Sequence, residues 1–177
     1  EELTIAPDAP LLGIIGRLKP QKDLPTFLLA AVHVLQEEPR TRFLVVGDGP
    51  LQQELEVQAR ELGLFPSLIF TGMRKDVPSI LAALDILVLS SLWEGLPVIL
   101  LEGMAAARPV VSTAVDGVIG VALPDETALL VPSSNPLELA QACLNLIRNP
   151  IMRQNMGEAG RVRVTERYSL NSMIDNI

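Results

Sequence analysis

Six short stretches of this chain are apolar almost without a break: LLGIIG (11–16), RFLVVG (42–47), SLIFTG (67–72), DILVLS (85–90), PVVSTA (109–114) and ALLVP (128–132). A strand with one face in water alternates apolar and polar residues. These runs do not, so they read as strands covered on both faces. Between them lie segments with the apolar period of a helix. DLPTFLLAAVHVLQEE (23–38) opens on Asp23, a residue suited to N-capping, with Pro25 in its first turn. GPLQQELEVQARELG (49–63) opens at Pro50 and closes on Gly63. KDVPSILAAL (75–84) and PVILLEGMAAA (97–107) follow, and NPLELAQACLNLIRN (135–149) opens on Asn135 as its cap. This alternation predicts an α/β fold, a doubly wound, mainly parallel Rossmann-like sheet of about six strands with helices on both faces. Right-handed crossovers place every strand's C-terminal end on one edge, where such sheets bind ligands.

The chain has 177 residues, 49 % of them hydrophobic, which suits one domain with a full core and excludes a disordered segment. No apolar run reaches the ~20 residues of a membrane span. The opening EELTIAPDAP lacks the basic start and apolar stretch of a signal peptide. One cysteine, Cys143, cannot close an internal disulfide, which fits a reducing, cytoplasmic setting. A formal charge of −7 speaks against nucleic acid as a partner. Residues 1–10, with prolines at 7 and 10, read as an incoming linker, 11–168 as one domain, and 169–177 as the start of a truncated helix.

Glycine and charge collect where the strands end. After the first strand comes GRLKPQK (16–22), after the second GDGP (47–50), after the third GMRK (72–75), after the fourth SSLWEG (90–95) and after the fifth VDG (115–117). Core packing does not require this; a ligand approaching backbone at the strand ends does. Arg17 and Lys22 suit a diphosphate, because charge-assisted bonds to phosphate are strong; a solvated basic loop is the alternative. Two glutamates, Glu94 and Glu102, stand in a largely apolar run with seven residues between them. A helix beginning at about Pro97 aims its free N–H groups at the same edge. Glu102, farther along it, tilts back toward that end. A buried carboxylate needs partners, and a ribose diol would supply them, with Glu94 meeting a second hydroxyl-bearing group. Pairing of Glu102 with Arg108 is the alternative.

GRLKPQKD, LVVGDGP, FTGM, SSLWEGLPVILLEGMAAARPVVST and LLVPSSNPLELAQA, in this order, resemble the C-terminal domain of the family-four (group 1) retaining glycosyltransferases of GT-B fold. The likeness runs from about Leu12 to Tyr168. It implies that Arg17 and Lys22 bind the diphosphate of a nucleotide-sugar donor, that Glu102 binds the ribose, and that Glu94 lies at the donor sugar. It also implies roles for Gly95, Leu96 and Pro97 at sugar and phosphate, for Met73 and Arg74 along the base, and for Gly16 in close approach of the ligand. The implied protein transfers a hexosyl group from a nucleoside diphosphate sugar to a glycan, lipid or small alcohol, with retention. It needs neither metal nor cofactor and serves polysaccharide or glycoconjugate synthesis. Its acceptor site lies in an N-terminal domain outside this chain, which could sit at the inner face of a membrane. Two departures stand out. EGLP replaces the longer EGFGLP of many members, and Asp116-Gly117 stands where many have two glycines.

Rival readings fare worse. VVGDGPLQ begins like a dinucleotide fingerprint but has Gln52 at the third glycine position. No G-x-x-x-x-G-K-[ST] run occurs, and one histidine with one cysteine makes no metal cluster. His33 reads as a structural or surface residue, and Trp93 as core or lid packing before a stacking platform. A non-catalytic nucleotide-sugar sensor of the same fold is the remaining alternative.

Overall fold

The computed structural model describes residues 5–168. Six strands form one sheet: β1 (Leu11–Ile15), β2 (Arg42–Val46), β3 (Leu68–Gly72), β4 (Ile86–Leu89), β5 (Val110–Thr113) and β6 (Ala128–Val131). Every neighbouring pair is parallel, and the order is β3-β2-β1-β4-β5-β6. The chain works outward from β1 to β3, then crosses back to β4 and continues the other way. The sheet therefore has a switch point between β1 and β4, where the helices that follow the two strands pass to opposite faces.

Seven helices cover the sheet: α1 (Leu24–Glu37), α2 (Gln52–Glu61), α3 (Val77–Ala83), α4 (Val98–Ala105), α5 (Asp116–Ile119), α6 (Pro136–Arg148) and α7 (Pro150–Arg167). Strand side chains alternate between two separate apolar layers. Leu12, Ile14, Phe43, Val45, Ile86 and Val88 pack under α1, α2 and α6. Leu11, Ile15, Leu44, Val46, Leu87 and Leu89 pack under α3, α4 and α5. Helix α4 lies close to the sheet because Gly103 has no Cβ; one there would stand 2.3 Å from a methyl group of Leu87.

The sequence expectations hold for all six strands and five of the helices, with local differences. Asp23 occupies the N-cap position of α1 but makes no side-chain cap bond. It adopts a left-handed backbone (φ 42°), and its carboxylate instead accepts from the hydroxyls of Thr26 (2.7 Å) and Ser134 (3.2 Å). Asn135 does cap α6, accepting from the Glu138 N–H at 3.2 Å. Helix α4 is shorter than the expected 97–107, with Pro97 in extended conformation before it. The short α5 and the long α7 were not foreseen. Asn149 caps α7 by accepting from the Met152 N–H, repeating the Asn-Pro opening of α6. The helix expected from Ser169 lies outside the described residues.

Cys143 is buried in α6, and burial pushes its thiol up to about 12 from an ordinary 9.0. A buried thiol resists forming the thiolate that reacts. Alkylation at pH 8 should therefore proceed only through global unfolding, so its rate should follow stability across denaturant; labelling as fast as a free thiol would contradict this burial. The sign for stability follows from linkage. The unfolded thiol loses its proton first, so this contribution is full below pH ~9 and is lost as pH rises toward about 12.

Candidate functional site

The loops leaving β1 and β4 meet at the switch point and are tied together. The first makes a tight turn, Pro20–Lys22, with the Lys22 N–H donating to the Lys19 carbonyl at 3.0 Å. Its base is fixed by the neighbouring loop after β2: the Leu18 N–H donates to the Asp48 carbonyl (2.7 Å), and the Leu51 N–H to the Leu18 carbonyl (3.2 Å). Gly47 and Gly49 permit this contact. A Cβ on Gly49 would lie 2.4 Å from the Leu18 oxygen, and one on Gly47 1.9 Å from the Gly16 oxygen.

Between the two loops, the Lys22 ammonium pairs with the Glu94 carboxylate at 2.5 Å. Their side chains are 16 % and 8 % exposed, so the pair is largely withdrawn from water. Glu94 also accepts from Ser91 Oγ (2.7 Å) and Gln21 Nε2 (3.3 Å). The backbones are joined as well: Gln21 Nε2 donates to the Trp93 carbonyl (2.8 Å), the Leu92 N–H to the Gln21 carbonyl (2.8 Å), and Ser90 Oγ to the Lys22 carbonyl (2.7 Å). Behind them, Thr113 Oγ1 on β5 donates to the Ser91 carbonyl at 2.6 Å. Gly117 opens α5 directly beneath this loop; a Cβ there would stand 2.0 Å from the Gly95 oxygen.

The sequence-derived residues fall into three groups. Lys22 and Glu94 are in contact, and Gly16 lies beside them, where a Cβ would come 3.3 Å from Lys22 Cε. Arg17, Gly95 and Leu96 stand exposed on the same two loops, and Pro97, buried, leads into α4. That helix carries no side-chain cap, and in its first turn the Leu100 N–H donates to the Pro97 carbonyl at 3.0 Å. Glu102 differs from expectation: it is exposed on α4, so the cost of burying a carboxylate does not explain it. Nor does Arg108, whose guanidinium bonds the carbonyls of Ala106 and Leu84 at 2.9 Å each. The third group lies apart. Met73 is exposed after β3, and Arg74 is paired with Asp76 at 2.7 Å, lining a hollow of about 450 Å³ with Ile5, Ala9, Leu11 and Arg108. Trp93 is 57 % exposed and so is not a core residue.

Gln21, Ser90, Ser91 and Thr113 were missed as parts of this cluster. Two serines directly after a strand as apolar as β4 were the available signal. The hollow beside Gly16, Arg17 and Lys22 holds only about 10 Å³, no more than a water. The cluster, with exposed Arg17, Gly95 and Leu96 beside it, forms a ledge. The larger hollow also gathers charge, from Arg74, Asp76, Asp85 and Arg108, but it lies against the starts of β1 and β4 rather than their ends, and we place the candidate site at the ledge.

A parallel sheet of this order, covered by helices on both faces, defines a Rossmann-like α/β domain. The chain belongs to the glycosyl transferases group 1 family, whose model matches residues 9–149. It is 28 % identical over 172 residues to alpha-D-kanosaminyltransferase of Streptomyces kanamyceticus, covering 96 % of this chain and 45 % of that protein. It is 36 % identical over 107 residues to the UDP-Gal:alpha-D-GlcNAc-diphosphoundecaprenol alpha-1,3-galactosyltransferase of Escherichia coli, covering 59 % of this chain and 28 % of that one. The chain thus spans less than half the length of either relative. Among solved structures, the C-terminal domain of LpcC, a glycosyl transferase group 1 family protein from Francisella tularensis, matches with TM-score 0.84 and 29 % identity over 91 % of this chain and 87 % of that one. HepE of Anabaena, solved with UDP-glucose, shares the fold with TM-score 0.89 at 22 % identity, over 95 % of this chain and 47 % of its own. No helix among the described residues is long and apolar enough to cross a membrane.

Proposed function

We propose that this chain is the donor-binding half of a glycosyltransferase. It holds a nucleoside diphosphate sugar whose hexosyl group passes, with retention and without a metal, to a glycan, lipid or small-alcohol acceptor on a second, N-terminal domain. The observation that carries this reading is the pairing of Lys22 with Glu94 across the switch point, beside the N-terminus of α4. The names of the relatives, which include transferases of kanosamine and galactose, agree with it.

The residues divide the work by charge. Arg17, exposed at the ledge, and Lys22 face the diphosphate, and the first-turn amides of α4 add the positive end of a helix dipole. As the bond from sugar to phosphate breaks, negative charge grows on the diphosphate oxygens. Cations and amides already fixed in place stabilise that charge without reorganising. Glu94 holds Lys22 in position and offers its carboxylate to the sugar hydroxyls. Glu102, projecting back toward the α4 N-terminus from an exposed position, accepts from the ribose diol. Met73 and Arg74 lie farther along the edge, on the side of the base. The open ledge explains the need for a second wall, which would exclude water and position the acceptor.

A thermal-shift screen of UDP, GDP and ADP sugars, followed by calorimetry, tests this reading. The 177-residue chain is expected to bind one such nucleotide with Kd on the order of 0.1–1 mM. Glu102→Ala should weaken that binding about tenfold, the loss of a hydrogen bond to a charged group at the low end of the range for an exposed carboxylate. Removing the 2′-hydroxyl from the ligand should weaken wild type similarly and the mutant hardly at all. A wild type indifferent to the 2′-hydroxyl would remove the ribose from Glu102.

A further inference from the structure

Ser90 and Ser91 are consecutive, 0 % and 1 % exposed, and follow directly on the apolar strand β4. Consecutive residues in extended chain point to opposite sides, and here each hydroxyl reaches a different member of the charged pair. Ser90 Oγ donates to the Lys22 backbone carbonyl, and Ser91 Oγ to the Glu94 carboxylate, both at 2.7 Å. A buried hydroxyl contributes little net stability when bonded and costs more when left unbonded. Alanine would fill either place in a purely structural strand end. What the hydroxyls add is geometric: one fixes the turn that carries the cation, the other fixes the rotamer of the carboxylate. Thr113 holds the Ser91 carbonyl from β5, so the device is anchored in the sheet. Gln21 completes it from the opposite loop by gripping both the Trp93 carbonyl and Glu94.

We propose that Ser90 and Ser91 are a pair of positioning residues, Ser90 acting on the diphosphate through Lys22 and Ser91 acting on the donor sugar through Glu94. The proposal rests on the donor-site reading above. It divides affinity in a way that a merely structural role would not. Ser91→Ala should leave the affinity for the nucleoside diphosphate within about twofold of wild type, while the ratio of sugar-nucleotide to diphosphate affinity falls about tenfold. Ser90→Ala should weaken both ligands by the same factor and leave the ratio unchanged.

Trp93 is the only tryptophan in the chain and stands exposed next to Glu94, so its fluorescence reports on this loop alone. Titrations of UDP, UDP-glucose, GDP and GDP-mannose into the whole chain, read by Trp93 emission and by calorimetry, give both quantities. Should Ser91→Ala fail to fold, Gln21→Ala removes the other donor to Glu94 from a partly exposed loop and should lower the same ratio. An unchanged ratio in a folded Ser91→Ala or in Gln21→Ala overturns the positioning role while leaving the donor site in place. A ratio that falls equally in Ser90→Ala also overturns it, since the two hydroxyls would then act as one structural unit. A wild type that binds none of the nucleotides overturns both the donor site and the proposal.

Discussion

Lys22→Met is expected to destabilise the protein by about 3 kcal/mol and to abolish nucleotide binding. The two effects have separate causes. Methionine keeps the length of the side chain and removes its charge, leaving the Glu94 carboxylate, 8 % exposed, without its cation. Breaking one partner of a buried pair costs about 3–5 kcal/mol. The remaining bonds from Ser91 and Gln21, and the partial exposure of Lys22, place this case at the lower end. For a chain of this size the melting temperature should fall by about 6–12 °C. Lys22→Met/Glu94→Gln removes the uncompensated charge, keeps the hydrogen-bonding shape and should restore most of the stability. It should not restore binding, because the phosphate cation is still gone. Equal melting of Lys22→Met and wild type would reduce the pair to a solvated contact, and binding regained by the double variant would remove Lys22 from the diphosphate.

Gly47→Ala is expected to cost more, about 4 kcal/mol or beyond, and to stop the folded protein from accumulating where stability is already marginal. Two obstacles coincide there. Gly47 has φ +131°, in a region that side-chain-bearing residues rarely adopt. Its missing Cβ would also lie 1.9 Å from the carbonyl oxygen of Gly16. The oxygen belongs to backbone and the Cβ is fixed by its own backbone, so no rotamer change relieves the clash. The loops after β1 and β2 would have to separate, and Gly16 sits in the loop that carries Lys22. Gly95→Ala is the control, since a Cβ there meets nothing within 4 Å. It should change the melting temperature by no more than about 2 °C. A Gly47→Ala variant that melts with wild type would show that the loops give way easily.

The sheet was legible in the sequence because burial on both faces leaves strands with uninterrupted apolar runs, which little else in a chain this short produces. The parallel order follows from helices long enough to cross over. Helix α7 was not legible: its buried positions, Met156, Gly157 and Gly160, include two glycines, which carry no apolar signal and read as helix breakers. Gly157 is required because the helix there lies against other backbone, with the Ala107 carbonyl oxygen 2.2 Å from where its Cβ would stand. At the site, Lys22 and Glu94 were each visible as charges at strand ends. Their contact was not, since 72 residues separate them and only the switch point brings them together. Glu102 shows the converse. Its place in an apolar run suggested burial, yet its turn of α4 faces outward.

The two apolar layers share no side chain, and among the described helices α7 is the one that touches both. Met156 belongs to the layer under α6, while Val164 and Tyr168 lean on the layer under α4 and α5. Along the way, Gly160 rests against Met104 of α4, the helix whose other end faces the ledge. Variation in this distal helix is therefore not free to drift as surface sequence does. A Cβ at 157 would stand 2.2 Å from the Ala107 carbonyl oxygen, so backbone holds this face of α7 to glycine as firmly as a packed core holds its side chains.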